Sequence, residues 1–222
     1  MKEQRLFTEA DLACIREATR RAEARTAGEI VPYLVRQVDE YHEAPWRGAV
    51  LGALTGALIA GMLEGLAVHW AGVAGLGAGL LHVTLPALAG AASGYMLGSI
   101  RPLGRYLITA SDVARRVQLR AEAAFLEEGV FRTRDRTGIL IFLALFERQA
   151  VILADEGIHR AVPPETWPQV VDSLVAGIRA GRSTEALCQA IERCGEILEH
   201  HHVERRADDR DELEDGLRIR DR

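Results

Sequence analysis

The chain contains no asparagine, and its single lysine is Lys2. Positive charge is therefore carried almost wholly by arginine, a bias of coding composition or habitat to which no function attaches. Cysteine is scarce as well: Cys14, Cys188 and Cys194 make an odd number with no CxxC pair. This argues against a disulfide framework or a thiolate zinc site. Each cysteine falls in a segment of helical pattern, so the expectation is buried free thiols in a reducing compartment. The net charge of −5 leaves no whole-molecule basic field, which argues against a nucleic-acid partner. No apolar leader opens the chain; "MKEQRLFTEADLACIREATRRAEART" is polar and amphipathic from the start, so no signal peptide is expected. GxxxxGK[ST] and HExxH are missing, Ser111 and Ser173 lie in no nucleophile elbow, and no cysteine has an evident histidine partner.

One absence is local. Residues 48–100 hold a single full charge, Glu64, while the rest of the chain is crowded with Arg, Asp and Glu. Two runs fill this stretch, 48–70 and 73–100, separated only by Ala71 and Gly72. At 1.5 Å per residue each exceeds the roughly 30 Å of a hydrocarbon core, so a transmembrane helical hairpin is expected over 46–100. Arg36 and Arg47 precede the apolar runs, and Arg101, Arg105, Arg115, Arg116 and Arg120 follow them. The positive-inside rule then places both long ends in the cytoplasm of a plasma or inner membrane. Gly48, Gly52 and Gly56 repeat every four residues, as do Gly90, Gly94 and Gly98. Such stripes let helices approach closely, within one chain or between copies as a homo-oligomer. Equal offsets from the glycines put Glu64 and His82 near one level, a structural pair or, less simply, part of an ion conduit.

Outside this stretch helix and strand alternate. Thr8 and Asp11 form a capping-box pattern before a helix facing inward through Leu12, Ile15, Ala18 and Ala22. The strand "EIVPYLVRQV" follows, with Pro32 marking an edge or a bulge. Ser111 is expected to cap a helix to about Glu128, with Val113, Val117, Ala121, Ala124 and Phe125 inward. "ILIFLALF" reads as a buried strand and "AVILAD" as its antiparallel partner. Two helices follow, Ser183 capping the second, and then a polar tail. The hairpin thus interrupts the crossover of a strand–helix–strand unit. Thr26, Gly28, Glu29, Asp135, Thr137, Asp155 and Gly157 should gather at the pole away from the membrane, and Glu147 and Arg148 at the other.

These residues resemble a known family. "RTAGEIVPYLV", "YHEAPWR", "FRTRDRTGILIFLALFERQAVILADEGIHRAVPPETW" and "ADDRDELEDGL" are similar to the TPM-domain family, in particular its bacterial membrane subgroup with a two-helix insertion after the first strand. The resemblance implies an α/β fold: a compact α/β/α sandwich with a small mixed sheet. It divides into a first part at 1–45, the membrane hairpin at 46–100, and a second part at 101–222. It also implies divalent-cation binding, with calcium (Ca2+) the expected ion, and an accessory or scaffold role for membrane protein complexes. A metal-dependent phosphatase is the alternative. The tail departs from the family pattern, with Asp211 where an asparagine is usual and Glu214 in place of a proline. From spacing alone the tail's acidic run is a solvated face. The resemblance turns Asp208, Asp209 and Asp211 into metal-ligand candidates, joined by Glu29 or Asp155; calcium takes six to eight such oxygens. His200, His201 and His202 are adjacent at a helix end and cannot converge on one ion.

Overall fold

The computed structural model describes residues 7–71, 76–201, 203, 213 and 215–221. The chain divides into two units, Met1–Asp39 with Ala114–Arg222, and Glu40–Val113. In chain order the elements begin with α1 (Glu9–Glu23) and β1 (Glu29–Val35), followed by α2 (Glu43–Ala71), α3 (Leu76–Ser99) and the short α4 (Arg101–Gly104). Then come α5 (Ala110–Glu127), β2 (Gly138–Ala144), β3 (Gln149–Ala154), α6 (Glu156–Ala161), α7 (Trp167–Arg179), α8 (Ser183–His200) and β4 (Arg218–Arg220).

In the first unit α1 starts where the sequence says it should. The Asp11 amide donates to Thr8 Oγ1 and the Thr8 amide donates back to Asp11 Oδ2, which satisfies two orphan donors of the first turn. Elsewhere the caps differ from expectation. The Asp112 amide donates to Thr109 Oγ1, so Thr109 rather than Ser111 opens α5. Ser183 is the first residue of α8, preceded by Arg182 with no side-chain cap.

The sheet order is β3-β2-β1-β4. β2 and β4 run parallel to β1, and β3 runs antiparallel to β2. β4 lies in the tail that reads as merely polar; its Arg218 and Arg220 both reach Glu128, at 3.3 and 3.5 Å. Pro32 is tolerated for a geometric reason. The Glu29 amide donates toward β2, to Thr137 O, whereas the Ile30 amide points the other way, to Glu23 Oε1. Alternation therefore aims the Pro32 nitrogen at the β4 side, and β4 pairs only from Tyr33 onward. Among the described residues no strand pairs with that half of β1, so the proline costs no ladder bond there.

Both faces of β1 and β2 are buried, as continuous apolar runs require. On one face Ile30, Leu34, Ile139, Ile141 and Leu143 pack with α1, α7 and α8 through Ile15, Ala18, Leu174, Leu187 and Ile191. On the other, Tyr33 stacks on Phe142 at 5.7 Å between ring centres, and Arg120 of α5 donates to the Tyr33 hydroxyl at 2.7 Å. Helices thus cover both faces of a small mixed sheet. Val117, Ala121 and Ala124 are the buried stripe of α5, while Val113 and Phe125 are only half-buried.

The second unit is built on α2 and α3, both long and apolar enough to cross a membrane, with mean hydropathy 1.7 over Glu43–Leu66 and 1.3 over Leu80–Ser99. Their glycines meet each other. A Cβ on Gly52 would sit 2.0 Å from Gly90 O, one on Gly94 2.0 Å from Gly48 O, and one on Gly56 2.3 Å from Pro86 O. The stripes therefore join two helices of one chain, backbone against backbone. Glu64 and His82 face each other at 3.5 Å. At the opposite end Trp46 meets Tyr95 edge-on at 5.4 Å, and Arg47 donates to Leu107 O and pairs with Asp112.

Candidate functional site

Burying a polar side chain costs free energy unless it finds partners, so clusters of buried polar groups deserve a local explanation. Among the described residues the buried polar and charged side chains are Thr19, Glu23, Thr26, Glu29, Thr133, Thr137 and Asp155. Thr19 donates back to Ile15 O within α1. All the others lie at one end of the sheet, where β1 and β2 begin and β3 finishes.

Turn geometry assembles this end. Thr26 Oγ1 donates to Val203 O at 2.8 Å and accepts from the Gly28 amide at 3.1 Å. Thr137 Oγ1 donates to Ala27 O at 2.7 Å, while its amide donates to Thr133 Oγ1 at 2.9 Å. The Gly157 amide donates to Arg136 O, and a Cβ at Gly157 would lie 2.4 Å from Asp135 O, so the β3–α6 turn and the turn before β2 touch backbone to backbone. Arg136 takes a left-handed φ of 58° there, a conformation that costs a branched or bulky side chain energy.

Three carboxylates are set into this frame, each with a backbone donor. Glu23 accepts from the Ile30 amide at 2.8 Å. Asp155 Oδ1 accepts from the Glu156 amide at 2.7 Å, capping α6. Its Oδ2 is buried, with Arg136 Nε 2.7 Å away as a charge partner but no N–H aligned on it. Glu29 Oε2 accepts from the Leu213 amide at 3.3 Å. That bond holds Leu213, which stands between Glu212 and Glu214 in the sequence, beside Glu29.

Of the five metal-ligand candidates from the sequence, Glu29 and Asp155 are brought to the same end of the sheet. Asp208, Asp209 and Asp211 lie outside the described residues. Glu29 is in register with Gly138, and the Asp155 amide donates to Gly138 O, so the two flank the first residue of β2. Two strand spacings, about 9–10 Å, separate their backbones, against about 5 Å between oxygens sharing one calcium. One ion held by both would need the two side chains to converge. Among the described residues no three His, Cys, Asp or Glu side chains are grouped to hold a metal. His200 and His201 sit edge-on to one another at the end of α8, at 5.4 Å between ring centres. His202 lies outside the described residues.

Sequence reasoning missed Glu23. The signal was present: Glu23 follows Ile15 and Thr19 at intervals of four, on the inward stripe of α1. A carboxylate at a core position needs a partner, and here it is the Ile30 amide of β1, which no described strand takes up. The cysteine expectation also needs correction, because Cys14 is exposed while Cys188 and Cys194 are buried. It stands on the outer side of the α1 seam with α8.

Comparison with known proteins adds two findings. Residues 106–197 match the family model described as the TPM domain. That segment takes in α5, β2, β3, α6, α7 and most of α8. Among solved structures, the BA42 protein of the psychrophilic bacterium Bizionia argentinensis is similar, with a TM-score of 0.58 at 18% identity over 98% of each chain. No curated protein matches the sequence. The chain therefore shares its mixed α/β fold with BA42 and carries the TPM-domain likeness on residues 106–197.

Proposed function

We propose that this protein is a bilayer-anchored TPM-type domain that binds a divalent cation, calcium foremost, and serves as an accessory or scaffold subunit for membrane proteins. The observation that carries the reading is the surface of the hairpin. Leu54, Leu58, Met62, Leu63 and Leu66 on α2, and Leu80, Leu81, Leu85 and Leu88 on α3, are all at least 60% exposed. Only 6% and 0% of the two apolar windows are buried, which supports the lipid-facing reading over that of a buried core pair. A hairpin apolar all round, closed by glycine backbones rather than by side-chain burial, suits lipid as its solvent. Exposed Trp46, Tyr95 and Tyr106 stand at the arginine-rich end of the hairpin, as interfacial aromatics do. The cation is supported by the Leu213–Glu29 bond, because Asp208, Asp209 and Asp211 lie within five residues of Leu213 in the sequence. Glu29 with Asp208, Asp209 and Asp211 would supply hard oxygens there, and Asp155 a more distant one.

The test has two parts. After expression in bacteria the protein should remain in membranes through carbonate extraction. Exposed Cys14 should resist a membrane-impermeant maleimide in intact spheroplasts and react after lysis. Release by carbonate overturns the anchor, and labelling in intact cells overturns the cytoplasmic orientation. Calcium titrated into the detergent-solubilised chain should give saturable binding that Glu29→Gln and Asp209→Asn weaken at least tenfold; no binding overturns the cation site. Turnover of a phosphomonoester that Asp209→Ala abolishes would replace the accessory role with a tethered phosphatase.

A further inference from the structure

Cys14 on α1 and Cys188 on α8 are 174 residues apart in sequence, yet their Sγ atoms lie 3.4 Å apart in a thiol–thiol contact. We propose that they form a reversible intramolecular disulfide when the protein meets a peroxide, a covalent staple between the two helices.

The seam around them argues for it. α1 and α8 run side by side in the same direction: Arg21 pairs with Glu192 and Arg25 with Glu199. Between those ion pairs a Cβ on Gly195 would come within 2.8 Å of Ala22 Cβ, so the backbones approach closely. Cys14 and Cys188 stand two turns back along the same seam. Bonding requires the sulfurs to close from 3.4 Å to about 2.05 Å.

Their environments divide the labour. Cys14 is exposed and meets the oxidant; Cys188 is buried and waits. Burial first, then the neighbouring Cys14 and Glu192, push the Cys188 thiol up to about 12, with Arg21 opposing. Cys188 is thereby kept protonated and unreactive toward bulk reagents. In the first step the Cys14 thiolate attacks peroxide, an S–O bond forms, the O–O bond breaks and hydroxide leaves to become water. Cys14 has then lost two electrons as a sulfenic acid. Cys188 Sγ next attacks Cys14 Sγ: the S–S bond forms, the S–O bond breaks, and the Cys188 proton leaves with the hydroxyl as water. Thiol reductants reverse the bond by exchange. Cys194, fully buried and also raised to about 12 by burial, serves as the internal reference.

The experiment treats the full-length protein in detergent with hydrogen peroxide, then alkylates, digests and maps the peptides. The expected product is a linked Cys14–Cys188 pair, reversed by dithiothreitol, with Cys194 alkylated only after denaturation. The link should raise Tm by roughly 5 °C or more, because it closes a very long loop. Peroxide should leave the Tm of Cys14→Ser unchanged. In Cys188→Ser the sulfenic acid on Cys14 should persist and be trapped by dimedone. If Cys188→Ser fails to fold, the wild-type map and Cys14→Ser decide alone. Cys14 driven to sulfinic acid without the link, Cys14–Cys14 dimers as the main product, or an unchanged wild-type Tm overturns the proposal.

Discussion

At the scale of single residues, the polar pole is a set of paired obligations. Asp155 caps α6 with one oxygen and faces Arg136 with the other. Asp155→Ala leaves the Glu156 amide without its acceptor and should cost about 1–2 kcal/mol in urea unfolding, the usual worth of an N-cap. Asp155→Asn keeps an acceptor and loses only attraction to Arg136, whose side chain is half exposed, so a loss well under about 1 kcal/mol is expected. An equal loss for both would mean that charge rather than capping is what the site uses. Residue identity revealed part of this pole. Thr8 and Asp11, at the other end of α1, are legible because a capping box is a local motif spanning four residues. Glu23 with Ile30, and Cys14 with Cys188, are tertiary meetings that no spacing rule encodes.

Elements were most legible where the pattern was longest. Four-residue glycine stripes at matching depths forecast a close helix pair, and the structure puts Gly52 against Gly90. What the pattern left open was whether one chain or two supplied the helices, because small residues serve either. The short β4 was illegible for the opposite reason: three residues carry no period, and it is held by Glu128 of a distant segment. The hairpin invites a paired test. Gly52→Val drives a branched Cβ into the Gly90 carbonyl and should destabilise the hairpin by about 1–3 kcal/mol, read by unfolding in mixed detergent micelles. Gly61→Ala meets nothing within 4 Å and should be neutral or slightly stabilising through helix propensity. Comparable losses from both would show that the glycines act through backbone freedom and not through contact.

At the scale of the molecule, the two units are separable in principle. β1 is sequence-distant from β2 but pairs with it over its whole length, Glu29 with Gly138 through Val35 with Ala144. Arg116 on α5 grips Asp39 at 2.5 Å, so the chain leaves the first unit beside the point where it returns. Replacing 40–113 by a loop of about six Gly and Ser residues should give a monodisperse protein in the absence of detergent. Its circular dichroism should keep both helix and strand. Long surface excursions add little closure entropy, so removing one should not unfold the rest. Aggregation of the shortened chain, with its core unchanged, would show that the units depend on each other.

Pro32 gains a further meaning when synthesis is considered. β1 leaves the ribosome about a hundred residues ahead of β2 and, at 5–20 residues per second, waits roughly 5–20 s for its partner. Throughout that interval a sticky apolar segment is available to any passing strand. A proline at its centre removes one donor from the exposed ladder, so a nascent neighbour meets a broken template. The residue that reads as a flaw in the strand would thus shield it until its rightful partner arrives.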